Sequence, residues 1–554
     1  MIGFVHGFAL SAMLIGAEPM NPVPPRYSNE QREAQIQPDS ATAQVAVPRV
    51  FANAALVPED VSLYIHVEDA KSLYDQIRRR PIAKWLTAQV TEGLFEHAWQ
   101  GLAKSMQMEP SDLFEKLLGR SVTLVVRNSD AGSDADGRGA PGDDEWAVMT
   151  SIDEPVAKDL LKRMHVMLDL FGPCELPEQE LLIQCDPNGM IIGPKRRRGL
   201  FDELCKRRDE LKPAHSLAQS SAMQSVRELG EGSVGILVRH AQPVGGWSAA
   251  VASLSGDEVS VRHIGKFHNA PFKGDVTRTQ GDYSTIKKLE SDHMVVMAEP
   301  IDKGDGLVEH FVMQTTGEHM LSDVLKAKLS DRRITAIGET EGGDKTQENA
   351  ADLVIVTALE LSTTKDAEAE LNERMRELAQ RIRSQAEGSL LTQASMMHPA
   401  AMNPNADIDV AEAMNNGLTG GFPVMKSAKL AWCVMEASDG KWLVVASNRK
   451  SLDEFCGDLS KPTVPSAELM GKYETVGSIN GVRLGRHLRG FADEAAMFVG
   501  ATSESDLQKA LDEFSDLAEG VGTCRWQMSR PDVNEMKLEM QIQLTPALSA
   551  EGEE

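Results

Sequence analysis

Two segments in different halves of the chain follow the same pattern, and this recurrence constrains the fold more than any other feature of the sequence. The first is Ile191–Cys205, IIGPKRRRGLFDELC, and the second is Val444–Cys456, VVASNRKSLDEFC. Each segment reads as an apolar strand, a basic turn and the start of an amphipathic helix that includes a cysteine. The recurrence predicts two copies of one arrangement.

The residues around these two segments extend the parallel. Each segment lies in a predicted hairpin, one turning at Asn188-Gly189 and the other at Asp439-Gly440, because both central residues of such a turn must accept positive φ. Upstream of each hairpin, apolar side chains recur at the period that places them on one face of a helix. These side chains are Leu160, Met164, Met167 and Phe171 in the first half and Leu371, Met375, Leu378 and Ile382 in the second.

These patterns predict an α+β fold with an internal duplication, in which each of two units is a mostly antiparallel sheet backed by amphipathic helices. The units are predicted over 55–270 and 283–546. A chain of 554 residues is long enough for this division, since single cores stop growing at about 250–300 residues. Residues 384–428 are rich in Ala, Asn and Met and follow no helix or strand period, so we predict a flexible insertion there.

The amino terminus predicts export. Residues 1–17 form an apolar run that ends in the small residues Gly16 and Ala17, as a signal peptide does, and they depart from that pattern in having no Lys or Arg near the start. The apolar run is shorter than the roughly 20 residues that cross a bilayer. Residues 18–54 are rich in Pro, Gln, Ala and Ser, which predicts a disordered tether. We expect a periplasmic or extracellular protein with no transmembrane segment after signal removal; the alternative is a cytosolic protein with an apolar first strand or helix.

The charge balance limits the classes of partner. The chain has 57 Lys and Arg against 83 Asp and Glu, which gives a net charge of −26. Such an acidic surface repels phosphate backbones, so we expect no nucleic-acid partner, and the expected partner is an unknown protein or envelope component. Two basic clusters, Arg78–Arg80 and Lys195–Arg198, could bind an acidic glycan or phosphate, but we interpret both as solvated turns.

Two stretches of the first half resemble a known family. They are VPEDVSLYIHVEDAKSLYDQI and SLAQSSAMQSVRELGEGSVGILVRH. They are similar to a large family of exported bacterial proteins of unknown function, whose members open with an LPADT-like strand and carry an SLAxxxxFQ-like helix before another strand. The resemblance covers most of residues 55–267 and extends more weakly to the second half. It implies export and a strand–helix alternation, and it brings no catalytic residue because the family has no established activity.

Three short motifs match ligand-binding patterns in part. Gly230–Gly235, GEGSVG, lies after helical text and before a strand, the reverse of a dinucleotide site, so we predict a turn. Asp134–Glu145, DADGRGAPGDDE, imitates a calcium loop but has Arg138 at a ligand position, so we predict a hairpin loop. Residues 396–402, MMHPAAM, could hold a soft cuprous ion, but we interpret them as a mobile loop.

The six cysteines form no C-x-x-C motif, so the sequence indicates neither structural zinc nor thioredoxin-like chemistry. Cys205 and Cys456 take matching apolar helix positions, where a thiol packs as a small hydrophobic group. In an exported protein, Cys174 and Cys185 are the best local pair for a disulfide, although the connectivity cannot be deduced.

From these features we expect a non-enzymatic binding or scaffold protein of the cell envelope. One alternative is a carrier that holds an apolar ligand between sheet and helices, because the chain has 26 Met and only 5% aromatic residues. Another alternative is a hydrolase with a site at the interface of the units, although no motif indicates one. We predict no catalytic residue, no metal-binding residue and no cofactor.

Overall fold

A computed structural model of the chain describes a large sheet and several helices. The described ranges are 48–77, 121–128, 145–151, 181–186, 189–209, 215–240, 244–269, 286–290, 292–300, 329–339, 353–361, 431–437, 440–446, 449–461, 473–499 and 506–546, with a few isolated positions. Residues 1–47, most of the calcium-like loop, both predicted helices upstream of the hairpins and the 384–428 insertion lie outside these ranges.

Strands occur throughout the described residues. The first eight are β1 (Leu63–Val67), β2 (Ser121–Arg127), β3 (Glu145–Ser151), β4 (Leu181–Asp186), β5 (Gly189–Pro194), β6 (Val234–Arg239), β7 (Trp247–Ser255) and β8 (Glu258–Lys266). The next eight are β9 (Val295–Pro300), β10 (Leu329–Glu339), β11 (Leu353–Leu361), β12 (Ala431–Ala437), β13 (Gly440–Ala446), β14 (Thr475–Asn480), β15 (Thr523–Asp532) and β16 (Glu535–Gln543).

The described helices are fewer than the strands. They are α1 (Ala70–Ile77), α2 (Gly199–Asp209), α3 (Ser221–Val226), α4 (Ile286–Leu289), α5 (Arg449–Ser460), α6 (Gly481–Val499) and α7 (Asp506–Val521). Three segments are 3-10 helices: Arg49–Ala55, Leu217–Gln219 and Arg227–Leu229. Within the described ranges, no helix has both the length and the apolar character needed to cross a membrane.

The described strands form one sheet of 16, in the order β12-β13-β11-β10-β9-β14-β15-β16-β8-β7-β6-β1-β2-β3-β5-β4. The predicted fold class, an α+β duplication in which each unit has its own sheet backed by helices, is therefore wrong. Local patterns specify strands and turns, but they do not specify which strand edges join, and unpaired backbone groups at an edge readily accept another strand. Within this single sheet, the first eight strands lie side by side in the order β4-β5-β3-β2-β1-β6-β7-β8. The last eight strands repeat this order, with each number larger by eight.

Contacts divide the described residues into two compact units. The first unit consists of the described residues within Met1–Leu254 together with Arg262–Gly265. The second unit consists of Ser255–Val261 together with the described residues within Lys266–Pro546. The predicted limits of 55–270 and 283–546 stay predictions. The predicted tether, however, extends too far, because its last residues belong to the buried 3-10 helix Arg49–Ala55.

The core of the first unit lies between one face of its strands and this 3-10 helix together with α2 and α3. Phe51 stacks on Tyr64 with ring centroids 5.7 Å apart, and the Tyr64 hydroxyl donates to the Val50 carbonyl at 3.2 Å. Leu200 and Leu204 on α2 are buried in the same cluster. These contacts explain why the apolar residues before the first strand are ordered.

The core of the second unit lies between α5 and its strands. Leu452, Phe455 and Leu459 are buried, and their spacing makes one stripe on the helix. Trp442 and Val444 on β13 are buried in the same cluster. The helix that the sequence predicts here is confirmed, and it faces the sheet with the predicted apolar stripe.

Both predicted hairpins are confirmed at their strands, but each turn lies one residue earlier than predicted, because Gly189 and Gly440 pair as strand residues. Asp186 pairs with Gly189 between β4 and β5, and Ala437 pairs with Gly440 between β12 and β13, so each connection has two residues. Asn188 and Asp439 themselves lie outside the described residues. The GEGSVG segment is confirmed as a helix-to-strand connection, because its first four residues join a 3-10 helix to β6 and its last two begin that strand.

The basic clusters have different environments. Lys195–Arg198 is exposed, and Arg198 forms an ion pair with Asp202 at 2.6 Å, as expected of a solvated turn. Arg80 is instead buried, and its Nε donates to the Gln76 carbonyl at 3.0 Å, which corrects the prediction of a solvated side chain there. Arg78 and Arg79 lie outside the described residues.

Candidate functional site: a cysteine pair at the sheet edge

Strand β12 is the terminal strand of the sheet and packs beneath α5. Its side chains are all half-buried or exposed, whereas five of the seven side chains of its neighbour β13 are buried. Alternation along β12 brings Ala431, Cys433, Met435 and Ala437 against the second core. The strand therefore presents a thiol to the helix at the margin of the sheet.

Helix α5 presents a second thiol to the same place. Cys456 follows buried Phe455 and lies one turn after buried Leu452, so it flanks the apolar stripe and is half-buried. Its Sγ atom is 3.1 Å from the Sγ atom of Cys433, and both cysteines are free thiols. The fold thus joins two cysteines that are 23 residues apart in the chain.

Contact between the two thiols makes them chemically unequal. The pKa of Cys433 is lowered, chiefly because Cys456 donates a hydrogen bond to its sulfur; burial opposes this shift and the positive charge of Arg449 adds to it. The pKa of Cys456 is raised, chiefly because its proton is held in that hydrogen bond and also by burial. The hydrogen bond between the two sulfurs therefore favours a thiolate at Cys433.

The exposed face of α5 carries charges beside this pair. Arg449 lies 3.0 Å from Asp453, and Lys450 lies 3.6 Å from Glu454, both in i,i+4 ion pairs. Exposed pairs of this kind stabilise a helix by only a few tenths of a kcal/mol. Arg449 favours a thiolate at Cys433 whereas Asp453 opposes it, so the two charges partly cancel.

The donor set of the site suits sulfur chemistry better than metal binding. Structural zinc requires four ligands, and the ranges that the structure describes contain no group of three or more Cys, His, Asp or Glu side chains placed around a metal position. Two thiols in contact can instead form and break a disulfide, which requires their sulfurs to approach by about 1 Å more. Thiol–disulfide exchange is the reaction that this arrangement supports.

Two other cysteine side chains lie within the described residues. Cys205 takes the corresponding position on α2, where it and Leu182 pack as partly buried groups against the first core. Cys524 is buried, and burial raises its pKa to about 12, so it stays a protonated thiol. The side chains of Cys174 and Cys185, the predicted disulfide pair, lie outside the described residues.

Sequence reasoning missed the pairing of Cys433 with Cys456 and assigned Cys456 to packing alone. Two signals could have found it. Cys433 occupies an inward position of its strand, and Cys456 lies four residues after Leu452 on the face that the helix buries. Both patterns direct a thiol to the space between the same strand and helix.

The first unit contains a buried polar network of Asn53, Thr123 and His66. Asn53 Nδ2 donates to Thr123 Oγ1 at 2.8 Å, and the Thr123 hydroxyl is 2.8 Å from Nδ1 of buried His66. With Thr123 accepting from Asn53, its own proton is available to His66 Nδ1. The network attaches the 3-10 helix Arg49–Ala55 to β1 and β2, and we assign it a structural role.

The His66 network predicts a pH dependence of stability. Burial lowers the pKa of His66 to about 4, so its stabilising contribution is complete above its unfolded pKa of about 6.5. The contribution is lost as pH falls from 6.5 towards 4, because the unfolded state takes up a proton first. The two pKa values correspond to a loss of about 3 kcal/mol between pH 7 and pH 4. His66→Asn keeps an acceptor for Thr123 and should remove this loss from the free energy of unfolding measured in urea.

A control for the His66 prediction comes from His263, whose pKa burial also lowers to about 4. The wild-type decline therefore contains a second contribution that His66→Asn leaves in place. An equally steep decline in the variant and the wild type would contradict the assignment to His66.

Comparison with known proteins assigns no function to the cysteine pair. The similarity of residues 55–267 to an exported family therefore stays a prediction. Neither a protein family, nor a characterised protein, nor a solved structure was found to match the chain.

Proposed function

We propose that the protein takes part in thiol–disulfide exchange through Cys433 and Cys456. The observation that carries this proposal is the 3.1 Å separation of two half-buried thiols at the terminal strand of the sheet. The oxidant is a disulfide: the two cysteine thiols lose two electrons and two protons and become one disulfide, while the oxidant disulfide becomes two thiols. The reverse reaction restores the dithiol.

Partial exposure supports a reversible couple. A thiolate must reach a disulfide sulfur to exchange, so access to the cysteines governs the rate together with their thiolate fraction. Neither cysteine is fully buried, and the hydrogen bond from Cys456 lowers the pKa of Cys433. The export predicted from residues 1–17 would place the couple in an oxidising environment, where disulfides persist.

This proposal is compatible with the binding or scaffold role expected from the sequence. In such a protein the couple would change the covalent connection between β12 and α5 without turnover of a ligand. The apolar-ligand carrier and the hydrolase stay sequence-based alternatives, with no observation on the described residues that favours either.

A redox titration tests the proposal. The full-length protein is equilibrated in mixtures of reduced and oxidised glutathione, quenched with acid, alkylated and mapped by peptide mass spectrometry. We expect a Cys433–Cys456 disulfide. The fraction of protein that contains it should fall as the ratio of the squared concentration of reduced glutathione to the concentration of oxidised glutathione rises. Cys433→Ser and Cys456→Ser should each abolish it, whereas Cys205→Ser, at the corresponding helix position, should leave the titration unchanged.

Two outcomes would overturn the proposal. One is that both cysteines stay alkylated at every glutathione ratio. The other is that they form only mixed disulfides with glutathione, without a link between β12 and α5. Either result would return Cys433 and Cys456 to a packing role.

A further inference from the structure

The composition of β12 is unusual for a terminal strand. Natural edge strands are protected by Lys or Pro residues, by bulges or by being very short. β12 has seven residues, AWCVMEA, with no Lys, Arg or Pro, and it pairs with β13 without a register shift. Within the part of the chain that the structure describes, β13 is its one strand neighbour. The edge therefore carries the features of a strand that accepts another strand.

The charge of the molecule limits which strand this can be. Glu436 is the one charged residue of β12, and the whole chain has a net charge of −26. Self-repulsion at this net charge disfavours a second copy of the chain, whereas a peptide with a basic residue is attracted. Like charges that lie directly opposite each other in a sheet are destabilising. The favoured occupant is an extended apolar peptide with Lys or Arg opposite Glu436.

Cys433 lies in the middle of this strand. A residue placed opposite it on an added strand would have its Cβ atom about 4.5–5.5 Å from the Cβ atom of Cys433. Disulfides require Cβ atoms about 3.5–4.5 Å apart, so a small adjustment brings a peptide cysteine within bonding reach of Cys433. Strand addition thus aligns a substrate sulfur with Cys433, the cysteine of the pair that lies on the edge strand.

We propose that β12 binds an extended, basic, cysteine-containing peptide segment by strand addition, and that the disulfide carried by this segment is the substrate of Cys433. This inference rests on the thiol–disulfide exchange proposed above, and it adds the substrate class and the order of attack. Main-chain hydrogen bonds to the edge give affinity, and the alternate side chains of the peptide give specificity.

The reaction has two exchange steps. Cys433 loses its proton, and its thiolate attacks the peptide sulfur; a Cys433–peptide disulfide forms, and the second sulfur of the substrate leaves and takes up a proton. Cys456, whose sulfur is 3.1 Å away, then loses its proton and attacks Cys433 Sγ. The Cys433–Cys456 disulfide forms, and the peptide leaves as a thiol. Two electrons pass from the cysteine pair to the substrate disulfide.

The test uses three chromogenic disulfides of 5-thio-2-nitrobenzoate with the reduced full-length protein. The first disulfide joins 5-thio-2-nitrobenzoate to the central Cys of a heptapeptide that otherwise alternates Thr and Val and contains one Lys. The second is with the same peptide N-methylated at its other backbone nitrogens, which cannot donate strand hydrogen bonds. The third is with glutathione. Each rate is divided by the rate of free cysteine with the same disulfide.

We expect the unmethylated peptide to react with Cys433 at least about tenfold faster than the other two. Tenfold corresponds to about 1.4 kcal/mol, the net contribution of one or two hydrogen bonds. Glu436→Lys should reverse the preference between the Lys peptide and a matched Glu peptide. Cys456→Ser should retain the peptide on Cys433 as a mixed disulfide, and Cys433→Ser should retain none.

The outcomes separate this inference from the proposed function. Equal normalised rates for the three disulfides would overturn strand addition while leaving thiol–disulfide exchange intact. No reaction of Cys433 with any of them would overturn both. A dimer in solution that must dissociate before the peptide reacts would assign the edge to a second copy of the chain and overturn the peptide as its occupant.

Discussion

Oxidation of Cys433 and Cys456 is expected to raise the free energy of unfolding of the second unit by about 3 kcal/mol. The disulfide would close a loop between residues 23 positions apart and restrict the unfolded chain, and loops of this size give stabilisation of that order. It would also join the terminal strand β12 to α5, whose Phe455 and Leu459 are already in the core. Hydrogen exchange measured by mass spectrometry should show slower opening of β12, β13 and α5 after oxidation.

The control for this prediction is the Cys433→Ala/Cys456→Ala double variant, which cannot form the link. Its exchange rates and its urea midpoint should be the same under oxidising and reducing conditions. A wild-type protein that shows no difference between the two conditions, although the disulfide has formed, would contradict the stabilisation.

The second large effect is expected at a buried ion pair in the second unit. Arg530 Nε donates to Glu474 Oε2 at 2.8 Å, and the two side chains are 9% and 6% exposed. Arg530→Met leaves the Glu474 carboxylate buried without its cation. Breaking a buried pair on one side costs about 3–5 kcal/mol, and this loss should appear as a lower free energy of unfolding in urea.

Two further variants distinguish an uncompensated charge from lost packing at Arg530. Glu474→Met/Arg530→Met removes both charges and should recover most of the loss, because paired buried charges and apolar residues are often similar in stability. Lys450→Met breaks an exposed ion pair with Glu454 and should cost less than about 0.5 kcal/mol. A double variant as unstable as Arg530→Met would contradict the account based on charge.

Local sequence patterns predicted the elements well and their assembly poorly. Turn chemistry predicted both hairpins and missed each turn by one residue, and the spacing of Leu452 and Phe455 predicted the buried face of α5. The single sheet of 16 strands does not follow, because the pairing of strand edges depends on contacts between residues far apart in the chain.

Dependence on contacts between distant residues also explains two other errors, the 3-10 helix that was predicted as part of a disordered tether and the cysteine contact that was missed. The 3-10 helix Arg49–Ala55 is too short for a periodic signal, yet Val50 and Phe51 are buried in the core of the first unit. Cys433 and Cys456 each follow a recognisable pattern, but their contact requires knowing that α5 crosses β12. The chemistry of the site thus depends on tertiary packing of a strand and a helix.

The most direct measurement of the central claim is a tryptic peptide map of the full-length protein without reduction, after oxidation by glutathione disulfide. Cleavage separates Cys433 and Cys456 into the peptides 430–441 and 451–472. The account predicts that these two peptides appear as one disulfide-linked species that separates on reduction and re-forms on reoxidation. Recovery of both peptides as unlinked thiols, or linked to other cysteines instead, would contradict it.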